Sequence, residues 1–195
     1  MGKTIAFTGS RPSKLCGYDR AKYDDFVHWL KQYILSLYDN GFTKFISGGA
    51  QGFDQLAFWA VNLAKAVHPD IENILYLPFP RQEHLWSKEG LFSKSEYKLI
   101  KRYADNIIFC SNLDPTSASK AQVSKELYNR NHCMVNDADE IIALYPDDTW
   151  MNNNGGTAEC MRYTRIYKKP INQLYYKIDS NGLSINEIKR LTWDN

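Results

Sequence analysis

Cysteine is sparse and poorly placed for metal or disulfide chemistry. Its four copies, Cys16, Cys110, Cys133 and Cys160, form no CxxC pair and no Cys/His cluster at zinc spacing. Reduced thiols and a cytoplasmic setting are therefore expected. No run of 18 apolar residues occurs, and the N-terminus reads straight into "KTIAFTG" without a charged n-region or apolar h-region. Neither a membrane span nor a secretory leader is expected. Charge of one sign is also missing, since 24 basic and 22 acidic residues are interspersed to a net +2. That balance offers no footprint for nucleic acid, which is disfavoured as a partner. His28, His68, His84 and His132 share no motif, and neither a metal nor a resident cofactor is expected. The GxGxxG fingerprint and the GxxxxGK[ST] loop are absent as well, which disfavours an ordinary dinucleotide dehydrogenase or a P-loop ATPase. No internal repeat, low-complexity tract or linker divides the 195 residues.

What is present is an alternation of short apolar strands with helical periodicity, the pattern of βαβ units around a mostly parallel sheet. Strands are predicted at Lys3–Thr8, Lys44–Ser47, Ile74–Pro78, Asn106–Cys110, Glu140–Tyr145 and Ile171–Ile178. Tyr23, Phe26, Val27, Leu30, Tyr33, Ile34 and Leu37 make one apolar helix face that ends near "DNG". A second helix follows "SGGAQG", with Phe53, Leu56, Ala57, Ala60, Val61 and Ala64 on one face before "HPD" stops it. One or two helices are expected over Gln82–Tyr103 and another over Lys120–Asn136. The reading is a single α/β domain over residues 1–178, with helices on both faces of its sheet, and a C-terminal extension over 179–195.

Ligands of open α/β sheets bind beyond the carboxyl ends of the strands, so the loops there carry the chemistry. After the first strand, "TGSRP" offers Gly9 for close backbone approach, Ser10 for a hydroxyl and N–H, and Arg11 for a guanidinium fork. After the second, "SGGAQGFD" sets Gly48 and Gly49 ahead of a helix start with Asp54 in its first turn. Arg130 and Asn131, in "NRN", precede the strand "DADEIIALYP". Gly155, Gly156 and Thr157 open another helix, with Glu159 in its first turn. Two glycine-rich helix starts favour an anionic ligand, although glycines before a helix are also ordinary turn chemistry. Trp150, in the polar loop "DDTWMNNN", is placed either to stack on a base or to pack at a contact. Cys160 lies near a helix N-terminus with no identified base.

Taken in order, "FTGSRP", "ISGGAQGFDQLAFWA", "LPFPRQEHLW", "YNRNHCMVNDADEIIALYPDD" and "GGTAECMRYTRIYKKPI" closely resemble the YpsA-like branch of the SLOG superfamily. The same plan is similar to the Rossmann-like part of DNA-processing protein A and, more distantly, to LOG-type phosphoribohydrolases. The resemblance implies a Rossmann-like domain whose loops bind nucleotides or nucleotide-derived signals. Carried over by position, its site comprises Gly9, Ser10, Arg11, Gly48, Gly49, Asp54, Arg130, Asn131, Gly155, Gly156, Thr157 and Glu159. Apart from that resemblance, Phe79, Trp86 or Trp150 is expected to supply an aromatic face against a base.

LOG-type enzymes carry a glutamate three residues after the threonine of this last motif, and Cys160 stands there instead. Glu159, one residue earlier, is rotated by about 100° around a helix of 3.6 residues per turn. The expectation is therefore a binding protein that keeps the cradle without the catalytic acid. Its ligand would be a cyclic nucleotide or ADP-ribose-type signal, sensed or sequestered in conflict between bacteria and phages. The alternatives are a phosphoribohydrolase using Glu159 and Arg130, and a single-stranded DNA-binding protein. A homo-oligomer, dimer or tetramer, is expected from the aromatic content and from related domains.

Overall fold

The computed structural model describes residues 2–86 and 90–193. Helix α1 (Asp24–Asp39) forms on the predicted apolar stripe and buries Phe26, Leu30, Ile34 and Leu37. Each of its fully buried Leu or Ile side chains contributes about 1.5–3 kcal/mol. Helix α2 (Phe53–Lys65) is almost wholly buried along Leu56, Ala57, Ala60, Val61 and Ala64. Small residues on that face bring α2 close to α1 and to the sheet.

Among the described residues, seven strands form one sheet: β1 (Lys3–Gly9), β2 (Phe42–Ser47), β3 (Glu72–Leu77), β4 (Asn106–Phe109), β5 (Glu140–Leu144), β6 (Ile171–Asp179) and β7 (Gly182–Leu191). Their spatial order is β4-β3-β2-β1-β5-β6-β7. All neighbours are parallel except β6 and β7, which are antiparallel. Side chains alternate between faces with the strand period of two. Ile5, Phe7 and Phe45 join the core under α1 and α2, whereas Ala6, Ile46, Ile141 and Ala143 join the core under α4 (Lys120–Asp137) and α5 (Gly156–Ile166). The sheet is thus covered on both sides, and the expected α/β architecture is observed.

One segment sharpens the sequence-based reading and another differs from it. The stretch Gln82–Tyr103 holds a 3-10 turn at Gln82–Leu85 and helix α3 (Lys94–Tyr103), which starts where the Ser93 side chain accepts a hydrogen bond from the Glu96 N–H. Residues 87–89 between them, and Asp194 and Asn195 at the C-terminus, lie outside the described residues. The segment after 179, expected as an extension with turns and a short amphipathic piece, pairs with β6 from Asp179↔Gly182 to Ile171↔Leu191. It belongs to the sheet. Its outer residues are mostly exposed, so an apolar alternation that would mark a strand is weak there.

The chain runs outward from β1 through β2 and β3 to β4, then returns across the sheet so that β5 lies on the other side of β1. This reversal creates a crevice beyond the carboxyl ends of β1 and β5, the place where such sheets bind ligands. Helix α4 makes the return and begins with a full capping box, in which the Ser119 side chain and Gln122 satisfy each other's backbone N–H groups. Among the described residues, no helix is long and apolar enough to cross a membrane.

Candidate functional site

At the crevice lies a depression of about 160 Å³, lined by Thr8, Gly9 and Arg11 from β1 and its loop, Ala50 and Asp54 from the second loop, and Gly156 and Thr157 from α5. Helix α4 supplies Ser124, Leu127, Tyr128, Arg130 and Asn131. Seven residues named from the sequence therefore meet: Gly9, Arg11, Asp54, Arg130, Asn131, Gly156 and Thr157. The α4 contributors that the sequence reading missed had a readable signal, because Ser124, Leu127, Tyr128 and Asn131 fall at i, i+3, i+4 and i+7 on one helix face.

The start of α5 lines the depression through Gly156 and Thr157, and the start of α2 borders it through Asp54. Gly52 precedes α2 at φ +98° and Gly155 precedes α5 at φ +131°, and neither end has a side-chain cap. At α5 such an end concentrates partial positive charge from open N–H groups, whereas at α2 the Phe53 and Gln55 N–H groups are taken by the Ser10 and Gly52 carbonyls. Gly52 also allows the first two loops to touch: a Cβ there would sit 2.5 Å from the Ser10 carbonyl oxygen, which accepts the Phe53 N–H at 3.2 Å. Gly9 plays a packing role, since a Cβ would lie 2.4 Å from the Phe53 ring.

Arg130 is the most constrained cation of the site. It is 4% exposed, its Nη1 donates to Asp54 Oδ2 at 3.1 Å, and its buried Nε has no hydrogen-bond partner. A buried guanidinium N–H left unsatisfied costs about 1–3 kcal/mol. Asp54 also accepts from the Ala50 N–H at 3.4 Å, which fixes the second loop against the pair. Arg11 is accessible at the rim yet crowded by protein. Desolvation and the charge of Arg130 lower its pKa, with Asp54 opposing them, and it keeps its charge regardless. With one carboxylate against two guanidinium groups, the depression keeps an excess of positive charge. Asn131 Nδ2 donates to the Gly156 carbonyl at 3.1 Å and so ties α4 to the start of α5.

Other named residues lie elsewhere. Glu159 turns away from the depression and pairs with His132 Nε2 on α4, whose ring stacks on Tyr163 at 3.7 Å between centroids. The predicted rotation about α5 accounts for this. Phe79 is fully buried, and Trp150, at 4% exposure, sits in the core against Trp193. Ser10 is buried and contacts the Tyr176 hydroxyl at 3.2 Å. Gly48 lies behind the depression, where a Cβ would fall 1.2 Å from Arg130 Nη1. Gly49 adopts φ +64° beside Leu77 and Tyr97, and Gly155 is the cap residue of α5. Trp86 borders a neighbouring hollow together with Arg11. Cys160 is buried and its thiol is pushed up to about 12, mainly by desolvation, which leaves it no nucleophilic character.

A Rossmann-like sheet with an arginine-bearing crevice at its strand reversal defines the class of fold and site. Residues 5–178 match the YspA SLOG family, and the chain belongs to that family. It is 32% identical over 145 residues to YoqJ of Bacillus subtilis (strain 168), described as an uncharacterized SPbeta prophage-derived protein; the match covers 70% of this chain and 80% of YoqJ. It is 27% identical over 118 residues to the UPF0398 protein BH1768 of Halalkalibacterium halodurans, covering 60% of this chain and 58% of that relative.

Proposed function

We propose that the protein binds a phosphate-bearing, nucleotide-derived small molecule and releases it unchanged, as a sensor of such a signal or as a sink for it. The observation that carries this reading is the buried Arg130 beside the uncapped start of α5, with Arg11 at the rim. Backbone N–H groups and guanidinium donors together suit a phosphate better than a carboxylate, because a phosphate offers more acceptor oxygens. A phosphate held there neutralises the excess positive charge of Arg11 and Arg130.

Binding without turnover is supported by the fate of the carboxylates. Glu159 is engaged by His132 outside the depression, and Asp54 is engaged by Arg130. Neither is poised to act on a glycosidic bond. The prophage origin in YoqJ's description supports a role in conflict between bacteria and phages, in the cytoplasm, where a nucleotide signal is either read or removed.

The test is mass spectrometry of small molecules released by heating the protein after purification from cells that make nucleotide second messengers, with Gly156→Val as the control. A Cβ at Gly156 meets only Asn131 Nδ2, at an ordinary 3.7 Å, so this variant should fold while crowding the depression. An intact nucleotide recovered from the wild type and absent from Gly156→Val is the expected result. Free base with ribose phosphate from wild-type incubations would replace the reading with a phosphoribohydrolase.

A further inference from the structure

Beside the phosphate depression lies a second hollow of about 310 Å³, and the two share Arg11 and Leu127 as a common wall. Its character differs. Trp86 and Tyr18 supply aromatic surface, Pro12 and Leu127 supply apolar surface, and Gln51 and Gln82 supply side-chain amides. No carboxylate is among its described lining residues. The Trp86 ring is braced edge-on against Tyr97, with centroids 4.8 Å apart.

The two amides are already oriented. Gln51 Nε2 donates to the Phe92 carbonyl at 2.8 Å, while Gln82 Nε2 donates to the Tyr97 hydroxyl at 2.6 Å and to the Gly48 carbonyl at 3.4 Å. Gln82 Nε2 is thereby committed inside the protein, whereas Gln51 Nε2 makes one such bond and keeps a second N–H beside its amide oxygen, so this amide can both donate and accept. A flat heteroaromatic ring with polar atoms on its edge matches this combination of aromatic wall and amide, and a protonated amine would find no counter-charge among the described lining residues.

Resting on the phosphate-binding reading above, we infer that the ligand spans both hollows: a phosphoryl group lies against Arg130 and the α5 start, and a purine or pyrimidine lies in the hollow of Trp86, Gln51 and Gln82. Arg11, on the shared wall, faces the sugar–phosphate junction. The small first depression suits a single phosphoryl group, so the class is a nucleoside monophosphate or a phosphodiester derived from one.

Calorimetric titration with inorganic phosphate, adenosine monophosphate and inosine monophosphate tests this on wild type, Trp86→Ala, Trp86→Phe and Arg11→Ala. Adenosine and inosine monophosphates should both bind wild type at least tenfold more tightly than phosphate. Trp86→Ala should lose about tenfold for adenosine monophosphate with phosphate affinity unchanged, and Trp86→Phe should restore most of the loss. Adenosine and inosine monophosphates binding no better than phosphate, or a Trp86→Ala loss shared equally by phosphate, would overturn the base hollow while leaving the phosphate site standing. No binding of any probe to wild type, or phosphate binding indifferent to Arg11→Ala, would instead bring down the phosphate reading and this inference with it.

Discussion

Gly48 illustrates how a residue named for one reason serves another. The sequence suggests it as a phosphate contact, yet its lack of a side chain makes room for the Arg130–Asp54 pair, and a Cβ would lie 2.2 Å from Arg130 Cζ and 2.6 Å from Asp54 Oδ2. Gly48→Ala must displace that pair. Overpacking of this kind costs about 1–3 kcal/mol, so urea denaturation should show a loss of that size, together with weakened phosphate binding. An unchanged midpoint would mean that Arg130 has another place to go. Cys160 gives a second check at this scale. Because burial holds its thiol near 12, iodoacetamide at pH 8 should leave it unmodified in the folded protein and label it after denaturation. That Arg11 and Gly156 meet at one crevice was legible from their loop positions, and Arg130 from its charge just ahead of β5. The partner of Glu159 was not, since His132 lies on a different helix and no local spacing records that contact.

The elements that frame the site are held by long side chains reaching across them. Lys169 Nζ donates to the carbonyls of Val135, Asn136 and Ala138, at 2.7, 2.7 and 2.6 Å, and so closes the C-terminal end of α4. A cation at that end complements the helix dipole as well as the open carbonyls. Lys169→Met should cost about 1–3 kcal/mol and lower the protection of α4 amides in hydrogen exchange; protection equal to wild type would deny Lys169 this role.

At the far edge, Arg190 on β7 makes a two-point pair with Glu140 at the start of β5, the second contact being 2.6 Å. Burial alone would raise the Glu140 carboxyl, but hydrogen bonds from Arg190 and Asn172, with the Arg190 charge, hold it below its ordinary 4.5. A carboxyl lowered on folding stabilises fully above its unfolded value and loses that contribution as pH falls through the folded one. Arg190 is half exposed, so solvent screening limits the gain to about 1 kcal/mol. Stability should therefore fall below pH 4.5 in wild type, with a smaller fall in Glu140→Gln; parallel curves would remove the pair from the account. The strand β7 that carries Arg190 escaped the sequence reading because its outward charges blur the alternation. The long stripes of α1 and α2 were legible because burial there dictates residue type at every turn.

For the whole molecule, the decisive feature is where the chain reverses. Alternating strands and helices were enough to predict the layered sheet, but its order, with β1 between β2 and β5, depends on pairings between distant segments that no local pattern encodes. That order brings residues from the first, second and last glycine loops to one crevice and sets α4 across it. It also separates the aromatic residues that had seemed interchangeable: Trp86 borders the second hollow, while Phe79 and Trp150 pack in the interior. The central claim is that this crevice holds a nucleotide and does not cleave it. Incubating stoichiometric protein with a panel of nucleoside monophosphates and cyclic nucleotides, then separating bound from free material by gel filtration and analysing both by chromatography, tests it most directly. The account predicts at least one nucleotide co-eluting with the protein and recovered intact after denaturation; free base accumulating over time, or nothing retained from any member of the panel, would contradict it.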